Sequence, residues 1–302
     1  MNPTATSPEE NKELVRRFME GPLNLEAVDQ FVAPDMVDHS RGRSGPEGVK
    51  QELGLFAAAF PDWFATIEDL IAEGDKVVIR GVASGTHRGV FMGIPPNARR
   101  ITVPGVHVMR IADGKIVEHW GEGDFLGMMQ QLGVIPGSTE SPPSVGGCTG
   151  HQKGAHVMSI QENKALCARP HEEIFNQGNL ALADEIFSPE FAWYEAHLPP
   201  LPRGPESIKL FATMLRAAFP DLHLTVEDSI AEGDRVVNRW TFRGTQRGEF
   251  YGVPPTGREV TTSGIDIWRI KDGKIVENQQ VVDNLGLLQQ LGAVPQPELA
   301  RT

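Results

Sequence analysis

Two cysteines and two tyrosines are all that the 302 residues carry. Cys148 and Cys167 stand in no metal-type or redox-type spacing, so no disulfide is expected and a reducing compartment fits. No run of about 18 apolar residues exists, and no helical membrane span is expected. Residues 1–14 lack a basic segment followed by an apolar one, so no secretion signal is read there. Basic residues are scarce too: 28 Lys and Arg face 40 Asp and Glu, a formal net charge of −12. Without a basic stripe to neutralise phosphates, nucleic acid is not an expected partner. Also missing are the HExxH, paired CxxC and GxSxG patterns. Gly85, Gly89 and Gly93 are spaced for strand ends and turns, not for a phosphate loop at a helix N-terminus. The expectation is a cytoplasmic protein with no metal and no organic cofactor.

What the chain does have is a repeat. Phe60-Pro61-Asp62 returns as Phe219-Pro220-Asp221, Glu73-Gly74-Asp75 as Glu232-Gly233-Asp234, and Asp113-Gly114-Lys115-Ile116-Val117-Glu118 as Asp272 to Glu277. The common offset is 159, and residues 60–133 laid on 219–292 without a gap give 40 identities in 74 positions. Two copies of one fold follow. Between them runs a Gly-, Ser- and Pro-rich stretch without apolar period, which reads as a linker. The expected organisation is a first domain over 1–135, a flexible linker over 136–158 and a second domain over 159–302.

Each copy begins helical. Ser7-Pro8-Glu9-Glu10 is a capping box with proline at the first helical position, and Ser159 to Glu162 starts the equivalent helix. Leu14, Val15, Phe18 and Met19 make its apolar stripe. A short helix is expected near 25–31 and a third over 47–60, stopped by Pro61. The period then changes to two through Trp63, Ala65 and Ile67, and strands follow over 76–84, 101–111 and 115–122. Asp113-Gly114 and Asp272-Gly273 mark tight hairpins. Helices followed by an antiparallel sheet predict an α+β domain in which three N-terminal helices pack on a curved sheet around a pocket.

A two-residue Asp113-Gly114 loop sets Ile111 opposite Ile116 and His107 opposite Trp120. Alternation then places His107, Glu118, Trp120, Glu122 and Asp124 on one face, and Asp266, Trp268, Glu277, Gln279 and Asp283 on its counterpart. Asp124 and Asp283 are candidate general acid/base groups, with a helix-cap or turn role as the competing reading. His107 is the second candidate, replaced by Asp266 in copy two. His119, which becomes Asn278, falls on the opposite face unless a bulge intervenes. His39 and Tyr194 could rim a pocket mouth or sit in solvated loops. Trp63, Phe91, Trp120, Trp240 and Tyr251 are core residues or ligand platforms.

These motifs, with Asn11-Lys12, Gly45 to Gly48, Gly85 to Gly89 and Gly93 to Pro96, resemble the SnoaL-like polyketide cyclases. That ester cyclase family has a nuclear-transport-factor-like, cystatin-like fold. The resemblance implies a cofactor-free intramolecular aldol cyclisation of a small apolar or aromatic carbonyl substrate. It matches the family's acid/base Asp to Asp124 and a neighbouring His to His107; copy two keeps Asp283 but has Asp266 in place of the His. It also implies a pseudo-twofold pairing of the copies through the faces bearing Val106, Val108, Ile265 and Ile267, with further homo-oligomers open. A hydrolase, dehydratase or isomerase in the same pocket, and a non-catalytic small-molecule binder, are the alternatives, since fold alone does not fix reaction. Last, the two pockets are expected to be unequal, with Asp283 sharing a proton with Asp266 in the second.

Overall fold

The computed structural model describes residues 7–40, 42–137, 158–198 and 201–294. The chain divides into two compact units, one on either side of the inter-repeat stretch. Most of the expected linker, and Cys148 within it, lie outside the described residues. Among those residues no helix is long and apolar enough to cross a membrane.

The N-terminal unit runs α1 (Pro8–Met19), β1 (Gly21–Pro22), α2 (Val28–Phe31), β2 (Val32–Asp38), α3 (Gly45–Ala59), β3 (Phe64–Glu73), β4 (Lys76–Thr86), β5 (Arg100–Ala112), β6 (Lys115–Gly123) and α4 (Phe125–Leu132). The sheet order is β1-β3-β4-β5-β6-β2, antiparallel except where β2 runs beside β6. The C-terminal unit repeats this with α5 (Ile160–Arg169), α6 (Leu182–Ile186), β7 (Phe187–Tyr194), α7 (Pro205–Ala218), β8 (His223–Glu232), β9 (Arg235–Thr245), β10 (Glu259–Lys271), β11 (Lys274–Val282) and α8 (Asn284–Leu291). Its five strands are ordered β7-β11-β10-β9-β8. The α+β architecture is as expected in both halves.

Most of the shared sequence has a structural explanation. Both capping boxes form, with Ser7 and Ser159 each reciprocated by a Glu three residues on. Buried Asn11 donates to the Gly74 carbonyl and Asn163 to that of Gly233, tying the first helix to the first hairpin of each sheet. Asp62 accepts from the backbone and hydroxyl of Thr86, and Asp221 does the same for Thr245. Gly89 and Gly248 pass so close to a helix end that a Cβ would meet the carbonyl of Ala58 or Ala217. At the hairpins both central residues have positive φ, 49° and 70° at Asp113-Gly114 and 52° and 73° at Asp272-Gly273. That is the twist of a type I′ turn, which Asp-Gly favours.

The hairpin is followed by something no residue type announces. Ile111 pairs with Ile116, but Arg110 pairs with Glu118, so Val117 is an extra residue in the ladder. The second unit repeats this bulge at Val276. A one-residue slip turns every later side chain to the other face. His107 therefore stands opposite Gly121, not Trp120, and Met109 stands opposite His119. The expected face is corrected accordingly: His107 and His119 point into the curve of the sheet, while Glu118 and Trp120 point out. In the second unit Asn278 and Gln280 turn inward beside Trp268 and Asp266, and Glu277 and Gln279 turn away.

The halves differ most after their first helix. α1 ends at Met19, and Gly21-Pro22 joins the edge of β3. In the second unit the helix continues through Pro170 as a π-helical stretch, Pro170–Asn176. Proline has no N–H to give back to the preceding turn, and the helix widens there.

Candidate active site

The concave side of the first sheet encloses a cavity of about 220 Å³. Its walls are apolar: Leu53 and Phe56 from α3, Trp63 before β3, Val103 and Met109 from β5, Phe125 from α4. Gly81 lies in this wall so close to β3 that a Cβ would be 2.6 Å from the Thr66 carbonyl oxygen.

One polar array reaches into this space. His107 and His119 both line the cavity, with His107 Nδ1 3.0 Å from His119 Nε2. His119 Nδ1 lies 3.5 Å from Oδ1 of Asp38, whose side chain is 3% exposed. Asp38 sits at the end of β2 directly beside His119, because β2 runs parallel to β6 there. The loop that follows fixes it: Ser40 N–H donates to Asp38 at 2.8 Å, and Ser40 Oγ accepts from Gly121 N–H at 2.6 Å. A carboxylate beside Nδ1–H of His119 leaves Nε2 of that ring to accept from Nδ1–H of His107. Nε2 of His107 is then the nitrogen on the side of Gly105, another cavity-lining residue.

Asp124 takes the helix-cap position that was the competing reading of it. It is the N-cap of α4, accepting from Gly127 N–H at 2.8 Å, and the cavity is lined by its neighbours Gly123 and Phe125. Asp283 does the same for α8 through Gly286 at 2.8 Å. A Cβ at either glycine would lie about 2 Å from the capping carboxylate, 2.2 Å at Gly127 and 2.0 Å at Gly286. Both aspartates thus do the same capping work at equivalent helix ends. Asp266, the residue expected to act with Asp283, is hydrogen-bonded by other side chains.

Of the other candidates, Trp63 and His119 line the first cavity. Phe91 is core, packed on Phe56 and Phe60 with ring centroids 5.3 Å from each. His39 and Trp120 are outside, stacked on one another at 4.5 Å. His39 also meets Glu118 at 3.1 Å, and Arg110 pairs with the same carboxylate. Burial works to raise the Glu118 carboxyl, but the bonds from Arg110 and His39 hold it below its usual range.

The second cavity is about 60 Å³. Trp240 stands where the first unit has Gly81, Phe242 where it has Ala83, and Trp268 where it has Met109; all three line the space. Tyr251 and Asn278 line it, Asn278 because the bulge at Val276 turns it inward, whereas Tyr194 lies in a surface groove on the other side of β7. The relay positions have changed together, Asp38 to Trp193, His119 to Asn278 and His107 to Asp266. Asp266 is bound instead by His171 of the π-helical stretch, Nε2 to Oδ2 2.8 Å, and by Asn278 Nδ2 at 3.3 Å. Sequence reasoning missed His171; its one signal is the proline before it, inside a helix. Among the described residues no group of three or more His, Cys, Asp or Glu side chains is arranged to hold a metal ion.

A model of the family described as SnoaL-like polyketide cyclase matches residues 13–132 and again 165–291. Nogalonic acid methyl ester cyclase of Streptomyces nogalater is 36% identical over 111 residues, covering 35% of this chain and 83% of that protein. Aklanonic acid methyl ester cyclase DnrD of Streptomyces peucetius is 30% identical over 131 residues, 40% of this chain and 89% of its own. Among solved structures, TsrD from Streptomyces laurentii is 31% identical and aligns over 45% of this chain and 99% of its own, with a TM-score of 0.42.

Proposed function

This chain belongs to the SnoaL-like polyketide cyclase family in both of its halves, and from that premise we propose that the N-terminal half closes a ring in an aromatic polyketide ester by acid/base catalysis without a cofactor. The observation that carries this reading is the Asp38–His119–His107 array ending in an apolar cavity. The two curated relatives are named as cyclases of methyl esters, which supplies the substrate class.

The chemistry asks little of the protein. A methylene between two carbonyl groups is already acidic. Nε2 of His107 takes its proton, the carbanion attacks a ketone carbon of the same molecule, and the new C–C bond leaves an alkoxide. That oxygen recovers the proton from His107, so the product is an isomer of the substrate and nothing else is consumed. His119 steadies the imidazolium while it exists, and Asp38 sets the tautomer of His119; both are positioning residues. The cavity walls hold the chain folded with the reacting carbons adjacent, which supplies much of the remaining acceleration. At about 220 Å³ the cavity is larger than an apolar cavity of roughly 150 Å³ that takes up benzene. Incubating the purified chain with aklanonic acid methyl ester and following loss of substrate against a cyclised isomer tests the reading. Ring closure is expected; binding without turnover would leave a small-molecule binder instead.

A further inference from the structure

The C-terminal half could be a worn copy of the first, with a cavity filled by aromatic rings. Its interior polar groups do not look worn. A seven-residue π-helical stretch brings His171 under the sheet. Such stretches are rare and concentrate at functional sites. The His171 and Asp266 side chains are 5% and 2% exposed and meet at 2.8 Å. Asp266 receives its second bond from Asn278. This is the arrangement that fixes a histidine tautomer: Nε2–H is committed to the carboxylate, and Nδ1 becomes the basic nitrogen. Nδ1 of His171 is buried and has no protein partner. The indole N–H groups of Trp240 and Trp268 are also buried and unpartnered, and both residues line the same cavity as His171. A buried polar group left without a partner is costly, so one acceptor and two donors on residues that line a single cavity point to an occupant.

We propose that the second cavity is an independent proton-transfer site, in which His171, oriented by Asp266, acts on neutral carbonyl compounds of a few non-hydrogen atoms. The volume, about 60 Å³, sets the size: it has room for on the order of four waters and falls well short of a benzene ring. The neutrality comes from the carboxylate already present, whose charge His171 and Asn278 occupy. The unpartnered donors are of the kind that stabilise an oxygen gaining negative charge. In the step itself, Nδ1 of His171 removes a proton from the carbon beside the carbonyl. The C–H electrons form the C=C bond of an enolate, the carbonyl electrons move to oxygen, and the indole N–H groups donate to that oxygen. Return of the proton from Nδ1 restores the compound or its isomer. This proposal does not depend on the cyclase reading, since it uses none of the residues of the first cavity.

The probe is acetone in D2O, with deuterium entry followed by NMR on the full chain carrying His107→Gln, so that the first site contributes no base. Exchange above buffer is expected, falling on the order of 10²-fold when His171→Gln is added. Asp266→Asn, which preserves shape, is expected to slow it at least about tenfold. Should His171→Gln fold poorly, the 15N–1H indole signals of Trp240 and Trp268 in the wild-type chain give a second readout, expected to shift saturably with acetone while Trp120 stays still. Exchange no faster than buffer, exchange unaffected by His171→Gln, or indole signals unmoved by acetone, as for a cavity holding water only, would overturn the proposal.

Discussion

Laid on one another, the two halves agree at their turns and helix ends and disagree inside their cavities. Asp62 and Asp221, Asn11 and Asn163, Asp124 and Asp283 do the same structural work at equivalent places. Gly81, Met109, His107 and His119 have become Trp240, Trp268, Asp266 and Asn278. A residue shared by both halves is therefore evidence for the fold, and a residue that differs is where to look for function. Asp124 is the instructive case. Its recurrence as Asp283, in a segment matching the family, makes it attractive as an acid/base group. Yet recurrence is what a helix cap would also give, and the cap is what both residues form.

The comparison can be broken most forcefully by filling the first cavity as the second is filled. Met109→Trp with Ala83→Phe places the rings of Trp268 and Phe242 at their counterparts and avoids Gly81, whose backbone lies too near Thr66 for a side chain. Turnover of a polyketide ester is expected to vanish while the fold survives. Overpacking of this kind costs about 1–3 kcal/mol per site, to be read from thermal melts. Undiminished turnover would mean that the cavity is not where the substrate sits.

Breaking the relay has a smaller effect. His119→Asn, the residue of the second unit, removes the group that orients His107 but keeps His107 itself. Turnover is expected to fall on the order of 10²-fold, the lower end for acid/base catalysis, with KM little changed. A loss confined to KM would make His119 a binding residue only.

The shared residues sharpen the comparison from the other side. Asp124→Ala and Asp283→Ala are each expected to destabilise their own unit by about 1 kcal/mol, as loss of a helix N-cap does. Denaturant titration, read separately for each unit, checks that the two losses match.

The smallest expected effect concerns acid. Thr86 holds the Asp62 carboxyl below its ordinary value through backbone and side-chain hydrogen bonds, and Thr245 does so for Asp221, through its side chain first. A carboxyl lowered in the folded state stabilises fully above its unfolded value and loses that contribution as pH falls through its folded value. Asp62→Asn and Asp221→Asn should therefore be less stable than wild type at neutral pH. Each gap should close as the pH drops below the usual carboxylate range. Melting temperatures across an acid series would register it, and a gap that widened in acid would contradict it.

The repeat, the order of elements, the capping boxes and the Asp-Gly hairpins were legible in the sequence because each has a local chemical signature. Which side chains face the cavity was not. One extra residue at Val117 reverses the face of everything after it on β6, and a valine in a bulge looks like a valine in a ladder. That slip is why His119 joins His107 and Trp120 leaves it. The partnership of Asp38 with His119 needs the parallel pairing of β2 with β6, a long-range contact that periodicity does not encode. His171 was hidden by Pro170, which reads as the end of a helix and here marks its widening.

The claim most worth testing is that the acid/base group of the first half is among the residues that differ between the halves and not among those they share. Turnover of His107→Gln and Asp124→Asn, measured side by side on the same polyketide ester, decides it, because asparagine still caps a helix and cannot act as a base. His107→Gln is expected to lose on the order of 10²–10⁴-fold, with Asp124→Asn within a few-fold of wild type. A folded Asp124→Asn that loses as much as His107→Gln would contradict the account.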